Sequence, residues 1–230
     1  MGNALLGVFF RWWRCINLNI LRTRLAKKAF LCYTLVKENC TAIKEKIVNI
    51  LFVNACVRKE SRTLVLAKDV LSKMQGEITE IDLAKENLVP LNRTALEERE
   101  RLLKSKEMDA PMFQYAKQFA QADEIVIAAP FWDLSFPSIL KIYMEQITVA
   151  GITFEYRNGC PTGLCKAKRL IYVTTAGGEI FCDFGYTYMK AIANNFFGIQ
   201  DTIAYRATNL DVQGISADKL LQEATFSTIK

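Results

Sequence analysis

Residues 47–54 read IVNILFVN, a short apolar run of the kind that fits a strand buried on both faces. The turn ACVRKES separates it from residues 61–74, where Leu64, Ala67, Val70, Leu71 and Met74 recur at helical spacing while Arg62, Lys68, Asp69 and Lys73 face away. Ser61 or Arg62 opens that helix. Residues 77–82 mix Ile with acidic and hydroxyl residues, as a half-buried second strand does, and two helical stretches follow at 93–106 and 112–122, the latter after Pro111. EIVIAA at 124–129 is a third strand ended by Pro130, and Pro137 sits where a helix over 138–147 begins. KRLIYVT at 168–174 is a fourth strand. A long aromatic-rich helix over 184–197 stops at Gly198, and a fifth strand at 201–207 precedes a closing helix at 216–226. Strand and helix in this cadence predict an α/β domain: an open, parallel, five-stranded sheet with helices on both faces. Ligands of such sheets gather outside the carboxyl ends of the strands, where the strand order reverses. That rule singles out the segments after the first, third and fourth strands.

Charge divides the chain. Residues 1–46 hold 9 Lys or Arg against 2 Asp or Glu, whereas residues 47–230 hold 21 against 22, so the overall +6 belongs to the first segment. A basic nucleic-acid face on the domain has no support from composition. The break near Ile47 sets the expected boundary between a basic N-terminal extension, 1–46, and the domain, 47–230. No run of 18 apolar residues occurs in the extension, so no transmembrane helix is expected, and its positive charges follow the apolar stretch at 4–10, the reverse of a secretory signal. Residues 18–46 suit a basic amphipathic helix on a membrane surface; a poorly ordered extension and a start site placed too far upstream are the alternatives. Seven cysteines, an odd number without a Cys-x-x-Cys pair, read as free thiols in a reducing cytoplasm. The chain has no histidine, which excludes a histidine base, a Ser-His-Asp triad and a His-ligated metal. The chemistry has to come from other side chains or a cofactor.

The three singled-out loops carry complementary features. The first, 54–63, places Cys56, Ser61 and Thr63 beside a helix N-terminus, where free N–H groups and the helix dipole suit a phosphate, although hydroxyls there also serve simply as caps. It is neither a P-loop nor a Gly-x-Gly-x-x-Gly turn. The second, Pro130-Phe131-Trp132-Asp133-Leu134-Ser135-Phe136-Pro137, is an aromatic turn between two prolines, fit to pack on a flat heterocycle or elsewhere on the protein. The third, Thr175-Ala176-Gly177-Gly178, permits close backbone approach or a tight turn. Together they match the needs of a mononucleotide with a large flat head.

At these residues the chain resembles the flavodoxin-like FMN-dependent NADH-azoreductases and NAD(P)H quinone reductases. The resemblance spans about residues 47–215 and is carried by VNACVRKESRT, AAPFWDLSFPSILKIYMEQI, GITFEY, GLCKAK and TTAGG. It implies that Cys56, Ser61, Arg62 and Thr63 surround the FMN phosphate. Pro130, Phe131, Trp132, Asp133 and Leu134 would follow the ribityl chain and ring edge, and Thr175, Ala176, Gly177 and Gly178 the opposite edge. Family members often carry Ser-Pro where this chain has Cys56-Val57, a departure that removes a hydroxyl and a rigid proline from the phosphate loop.

The activity implied is a two-step exchange: NADH or NADPH reduces FMN and leaves, and a small-molecule electron acceptor, a quinone or azo compound, takes two electrons. No catalytic side chain is assigned, because the flavin carries the hydride chemistry. Tyr186 and Tyr188 either border the substrate or belong to the core or an interface, and residues 153–168 offer material for a substrate pocket. The rivals are a non-catalytic flavodoxin-type electron carrier, a dinucleotide dehydrogenase, which lacks its glycine fingerprint here, and a flavin-free regulatory module. The resemblance also implies a homodimer. Ile139, Leu140, Ile142, Tyr143, Met144 and Ile147 make the helix after Pro137 apolar over a wide face, so an interface there is expected, with Tyr143 on it.

Overall fold

The computed structural model describes residues 47–224 and the backbone of 228–229; the expectations for 1–46 lie outside the described residues. Five strands run parallel: β1 (Asn49–Asn54), β2 (Glu77–Asp82), β3 (Glu124–Ala128), β6 (Arg169–Thr175) and β7 (Asp201–Ala207). Two short strands between β3 and β6, β4 (Phe154–Arg157) and β5 (Cys160–Gly163), form a separate antiparallel hairpin. A last strand, β8 (Thr228–Ile229), adds antiparallel to β7, so the sheet order is β2-β1-β3-β6-β7-β8. The five expected parallel strands are all present, and β8 is an addition that a two-residue strand could not announce.

Alternation along the central strands builds two cores. Leu51, Val53, Ile125, Ile127, Leu170 and Tyr172 face one side, and Ile50, Phe52, Val126, Ala128, Ile171 and Val173 the other. On the second side lie α1 (Arg62–Ser72) and α6 (Ala217–Ala224); on the first lie α3 (Gln114–Gln121), α4 (Ser138–Ile147) and α5 (Phe184–Ile192). Helix α2 (Arg93–Lys104) buries only Leu102, as its charged sequence requires. Edge strand β2 is more exposed than its alternation suggests: Ile78 faces solvent and only Ile81 is buried.

The helix ends follow local chemistry. Ser61 caps α1 in an extended conformation, its Oγ accepting from the Leu64 N–H at 3.3 Å, and Thr63, Leu66, Ala67, Val70 and Leu71 form the buried stripe. Leu64 and Met74, expected in that stripe, are half-buried at its margins. Helix α5 runs into a wider π turn over Ala193–Phe197 and stops at Gly198, whose φ of 76° needs a glycine.

The insertion at 153–168 holds the β4–β5 hairpin. Asn158 and Gly159 both adopt positive φ at its tip, the two-residue turn that an Asn-Gly dipeptide favours. The hairpin backbone lies directly on the end of the π turn, for a Cβ on Gly163 would stand 2.1 Å from the Phe197 carbonyl carbon, and Phe154 packs edge-on to Phe196 at 5.0 Å. Lys166 and Lys168 donate to the Ala120 and Asp123 carbonyls just before β3. The insertion therefore sits at the amino end of the strands, opposite the three ligand loops, and does not supply pocket material beside them within this chain.

Helix α4 corrects a second expectation. Leu140, Tyr143, Met144 and Ile147 turn into the core, Tyr143 at 0% exposure with its ring edge-on to Tyr115 at 5.9 Å. Only Ile139 and Ile142 of the apolar set lie partly exposed, so Tyr143 is not an interface residue. Its hydroxyl has no hydrogen-bond partner. Tyr143→Glu should therefore unfold the domain, by burying a carboxylate without a partner, and not merely dissociate a dimer. Tyr143→Phe should stay within about 1 kcal/mol of the parent, because it discards an unpaired hydroxyl, as urea titration would measure.

Candidate functional site

The chain steps from β1 to β2 on one side and then returns to place β3 on the other, so the strand order reverses between β1 and β3. Adjacent connections diverge there and open a crevice at the carboxyl ends. The first loop leaves β1 on one lip, the second leaves β3 on the other, and the third leaves β6 beside it.

In the first loop Cys56 is buried. Its N–H donates to Asn54 Oδ1 at 3.0 Å, and its sulfur lies 3.8 Å from the Ala128 carbonyl. Burial is the main cause that pushes this thiol up to about 11, so it is a protonated space-filler in the loop's floor. Val57 to Glu60 are exposed. Ser61 uses its hydroxyl to cap α1, and the Arg62 and Thr63 N–H groups, in the first turn, have no intrahelical acceptor. That combination fits an anion. The Arg62 guanidinium is turned aside: it donates to the Leu210 carbonyl at 2.7 Å and pairs with Asp211. Thr63 is buried, and its hydroxyl shares a 2.6 Å hydrogen bond with the Thr175 hydroxyl, which joins the first loop to the third.

The second loop is a reciprocal turn. The Trp132 N–H donates to Ser135 O at 3.1 Å and the Ser135 N–H to Trp132 O at 2.7 Å, with Asp133 and Leu134 between them at φ 50° and 64°. Left-handed backbone at two consecutive non-glycine residues costs on the order of 1–3 kcal/mol each, and such strain gathers where a ligand is clamped. Pro130, Phe131 and Trp132 are half-buried and Leu134 exposed. Two contacts tie the turn to the other two loops: the Phe131 N–H donates to Thr175 O at 3.0 Å, and the Arg58 guanidinium lies 5.6 Å from the Trp132 ring centroid.

The third loop, Thr175 to Gly178, is backed by residues after β7. Leu210 and Asp211 donate to the Ala176 and Gly177 carbonyls, and Asn209 to that of Gly178. A Cβ on Gly177 would meet Asp211 Oδ2 at 2.1 Å, so this glycine admits the carboxylate; a Cβ on Gly178 would meet nothing within 4 Å, so open space lies over that residue. Beyond the loop, Asp183 caps α5 through the Tyr186 N–H at 2.8 Å and forms a largely buried ion pair with Arg206.

All three sequence-selected loops thus meet at one end of the sheet. Sequence reasoning missed the fourth contributor, 209–211, although the carboxyl-end rule that chose the others applies equally to β7. It also missed the Asp183–Arg206 pair, which no local pattern marks. Tyr186 proves to be core: its hydroxyl donates to Thr202 O at 3.0 Å and its ring stacks near Tyr172. Tyr188 packs on Phe136 and borders an open concavity of about 490 Å³, shared with Lys141, Phe184, Thr187 and Ala191. Among the described residues no cluster of acidic, Cys or His side chains is arranged to hold a metal. An anion-accepting helix start, aromatic side chains across the crevice from it and open space over Gly178 fit a phosphate-bearing flat heterocycle such as FMN.

Comparison with known proteins agrees with this geometry. A family profile described as flavodoxin-like fold matches residues 48–226. An FMN-dependent NADH:quinone oxidoreductase of Coprothermobacter proteolyticus is 36% identical over 72% of this chain and 88% of its own length. A protein of the same name from Clostridium beijerinckii is also 36% identical, over 76% and 93%. Among solved structures, an FMN-dependent NADH-azoreductase from Bacillus anthracis in complex with FMN superposes with a TM-score of 0.67 at 25% identity, covering 78% of this chain and 95% of that one. The chain belongs to the flavodoxin-like fold family and, within it, to the FMN-dependent NADH:quinone oxidoreductases.

Proposed function

We propose that this protein is an FMN-dependent oxidoreductase that passes two electrons from NADH, or alternatively NADPH, to a quinone or azo compound. The observation that carries the reading is the mutual fastening of the loops at the strand-order reversal, through Thr63–Thr175, Phe131–Thr175 and Arg58–Trp132. When bound, FMN supplies the chemistry of accepting and donating hydride. The chain's own contribution is to bind and orient. The first-turn N–H groups of α1 and the Ser61 side hold the phosphate, with Cys56 and Thr63 as the floor beneath it. Pro130 to Leu134 shield one edge of the ring from water. The Gly177 and Gly178 backbone would line the other edge, where its N–H groups would favour negative charge on the ring. The Arg62 guanidinium acts through Asp211, positioning the third loop.

Two copies pair in this reading. The surface assigned is the outer side of α4 and α5 around the concavity lined by Phe136, Lys141, Phe184 and Tyr188, with Phe181, three residues before Phe184, at 85% exposure. The basic segment 1–46 is an appendage that the flavin site does not need, and the protein acts in the cytoplasm.

The purified protein should be yellow and should bleach anaerobically on adding NADH alone, then recover its colour with a quinone. A colourless protein that rejects added FMN would sink the reading; a yellow one that NADH cannot bleach would favour the electron carrier. Glycine substitutions test the ring-edge assignment. Gly178→Ala should leave the melting midpoint of the flavin-free protein unchanged yet weaken FMN binding about tenfold, because its methyl enters space reserved for the ligand. Gly177→Ala should lower both, since its methyl displaces Asp211. Removing 1–46 should leave flavin content intact, and light scattering should give twice the chain mass for the parent and the single-chain mass for Phe184→Glu.

A further inference from the structure

Three polar atoms beneath the second and third loops are buried without a well-aligned hydrogen-bond partner: the Tyr172 hydroxyl, the Thr174 hydroxyl close beside it, and Arg206 Nε. They are neighbours. Tyr172 and Thr174 lie two residues apart on one face of β6, and Thr174 stands directly opposite Arg206 in the β6–β7 register. The Tyr172 hydroxyl reaches to 2.9 Å from the position of a Cβ on Gly185, which lies 3.2 Å from Asp183 Oδ1, so the Asp183–Arg206 pair closes the same cluster. Two poorly aligned hydroxyls and the Nε of the buried charge pair itself are costly unless something joins them, and a single buried water commonly makes about three such bonds.

The cluster sits where the two loops are anchored. The Phe184 N–H donates to Leu134 O at 3.0 Å, and a Cβ on Gly185 would lie 3.4 Å from the Ser135 carbonyl carbon, so the start of α5 holds the second loop. The same start ends the segment that follows Gly178, so it also holds the far side of the third loop. Asp183 uses one oxygen to cap the helix and the other to reach Arg206.

We infer that Asp183 and Arg206 are positioning residues for the flavin site, and that one buried water binds among Tyr172 Oη, Thr174 Oγ1 and Arg206 Nε to complete their network. The inference rests on the FMN reading for its consequence but not for the water. With the network intact, the start of α5 has one orientation, and the turn at Trp132–Ser135 and the backbone at Gly177–Gly178 keep a fixed separation across the ring. Without the ion pair the helix start loosens and both edges of the ring's seat move together.

The test uses the full chain and FMN itself. Asn caps helices as well as Asp does, so Asp183→Asn retains the cap and removes only the charge pairing. It should weaken FMN binding about tenfold by fluorescence titration and alter the visible circular dichroism of the bound flavin. Tyr172→Phe, a milder change that keeps the fold if Asp183→Asn does not, should lower the melting midpoint of the flavin-free protein and shift the same dichroism. Unchanged affinity and dichroism in folded Asp183→Asn, alongside a lowered midpoint, would overturn the positioning role. A raised midpoint in Tyr172→Phe would overturn the water, since deleting an unpaired hydroxyl from a dry site relieves a burden. A parent protein that takes up no FMN overturns the functional reading and the positioning role with it, while the Tyr172→Phe midpoint still decides the water.

Discussion

Parallel strands can be joined only by crossovers, so every parallel strand of this sheet ends on the same side. The constraint concentrates chemistry. Four separate connections, after β1, β3, β6 and β7, are delivered to one edge without being close in sequence. What turns proximity into a site is a small number of ties between them. The buried Thr63–Thr175 hydroxyl bond is central: it crosses 112 residues of chain, and the Thr175 carbonyl on the same residue receives the Phe131 N–H. One residue therefore fixes the first and second loops relative to the third.

The third loop itself is braced from two directions. Arg62 and Asp211 hold it from the α1 and α6 side, and Asp183 and Arg206 hold its far end from the α4 and α5 side. The two pairs differ in setting. Both partners of the first are substantially exposed, so it contributes little to stability by itself and acts mainly through the close Gly177–Asp211 packing. The second is largely buried, where charge pairing is strongly directional but desolvation is expensive, and its value lies in specifying one geometry.

Sequence legibility followed range. The buried strands were plain because IVNILFVN and EIVIAA are continuous apolar runs, and α4 was bounded to the residue because Pro137 fixes where it can begin. The loops were legible as carboxyl-end connections carrying special residues. The fate of each side chain within them was not. The family resemblance sets Arg62 around the phosphate, and no local pattern announces that its guanidinium pairs with Asp211, 149 residues away. Tyr143 lies on a helix whose apolar face is wider than one stripe, and the packing of Tyr115 and the core against it decides which apolar residues turn inward. The β4–β5 hairpin had a local signal, Asn158-Gly159, between strands too short and polar to stand out.

The sheet has one edge strand that bears on how copies meet. Among the described residues no strand pairs with the outer side of β2, which carries Glu77, Glu80 and Asp82 in six residues, while β8 covers the edge at β7. Were two copies to join through β2, their acidic side chains would face each other across the new ladder, and like charges opposed in that way repel. The acidic edge thus acts as a fence: it discourages growth of the sheet from molecule to molecule into fibrous stacks, and it leaves helix surfaces as the ground on which a closed pair can form.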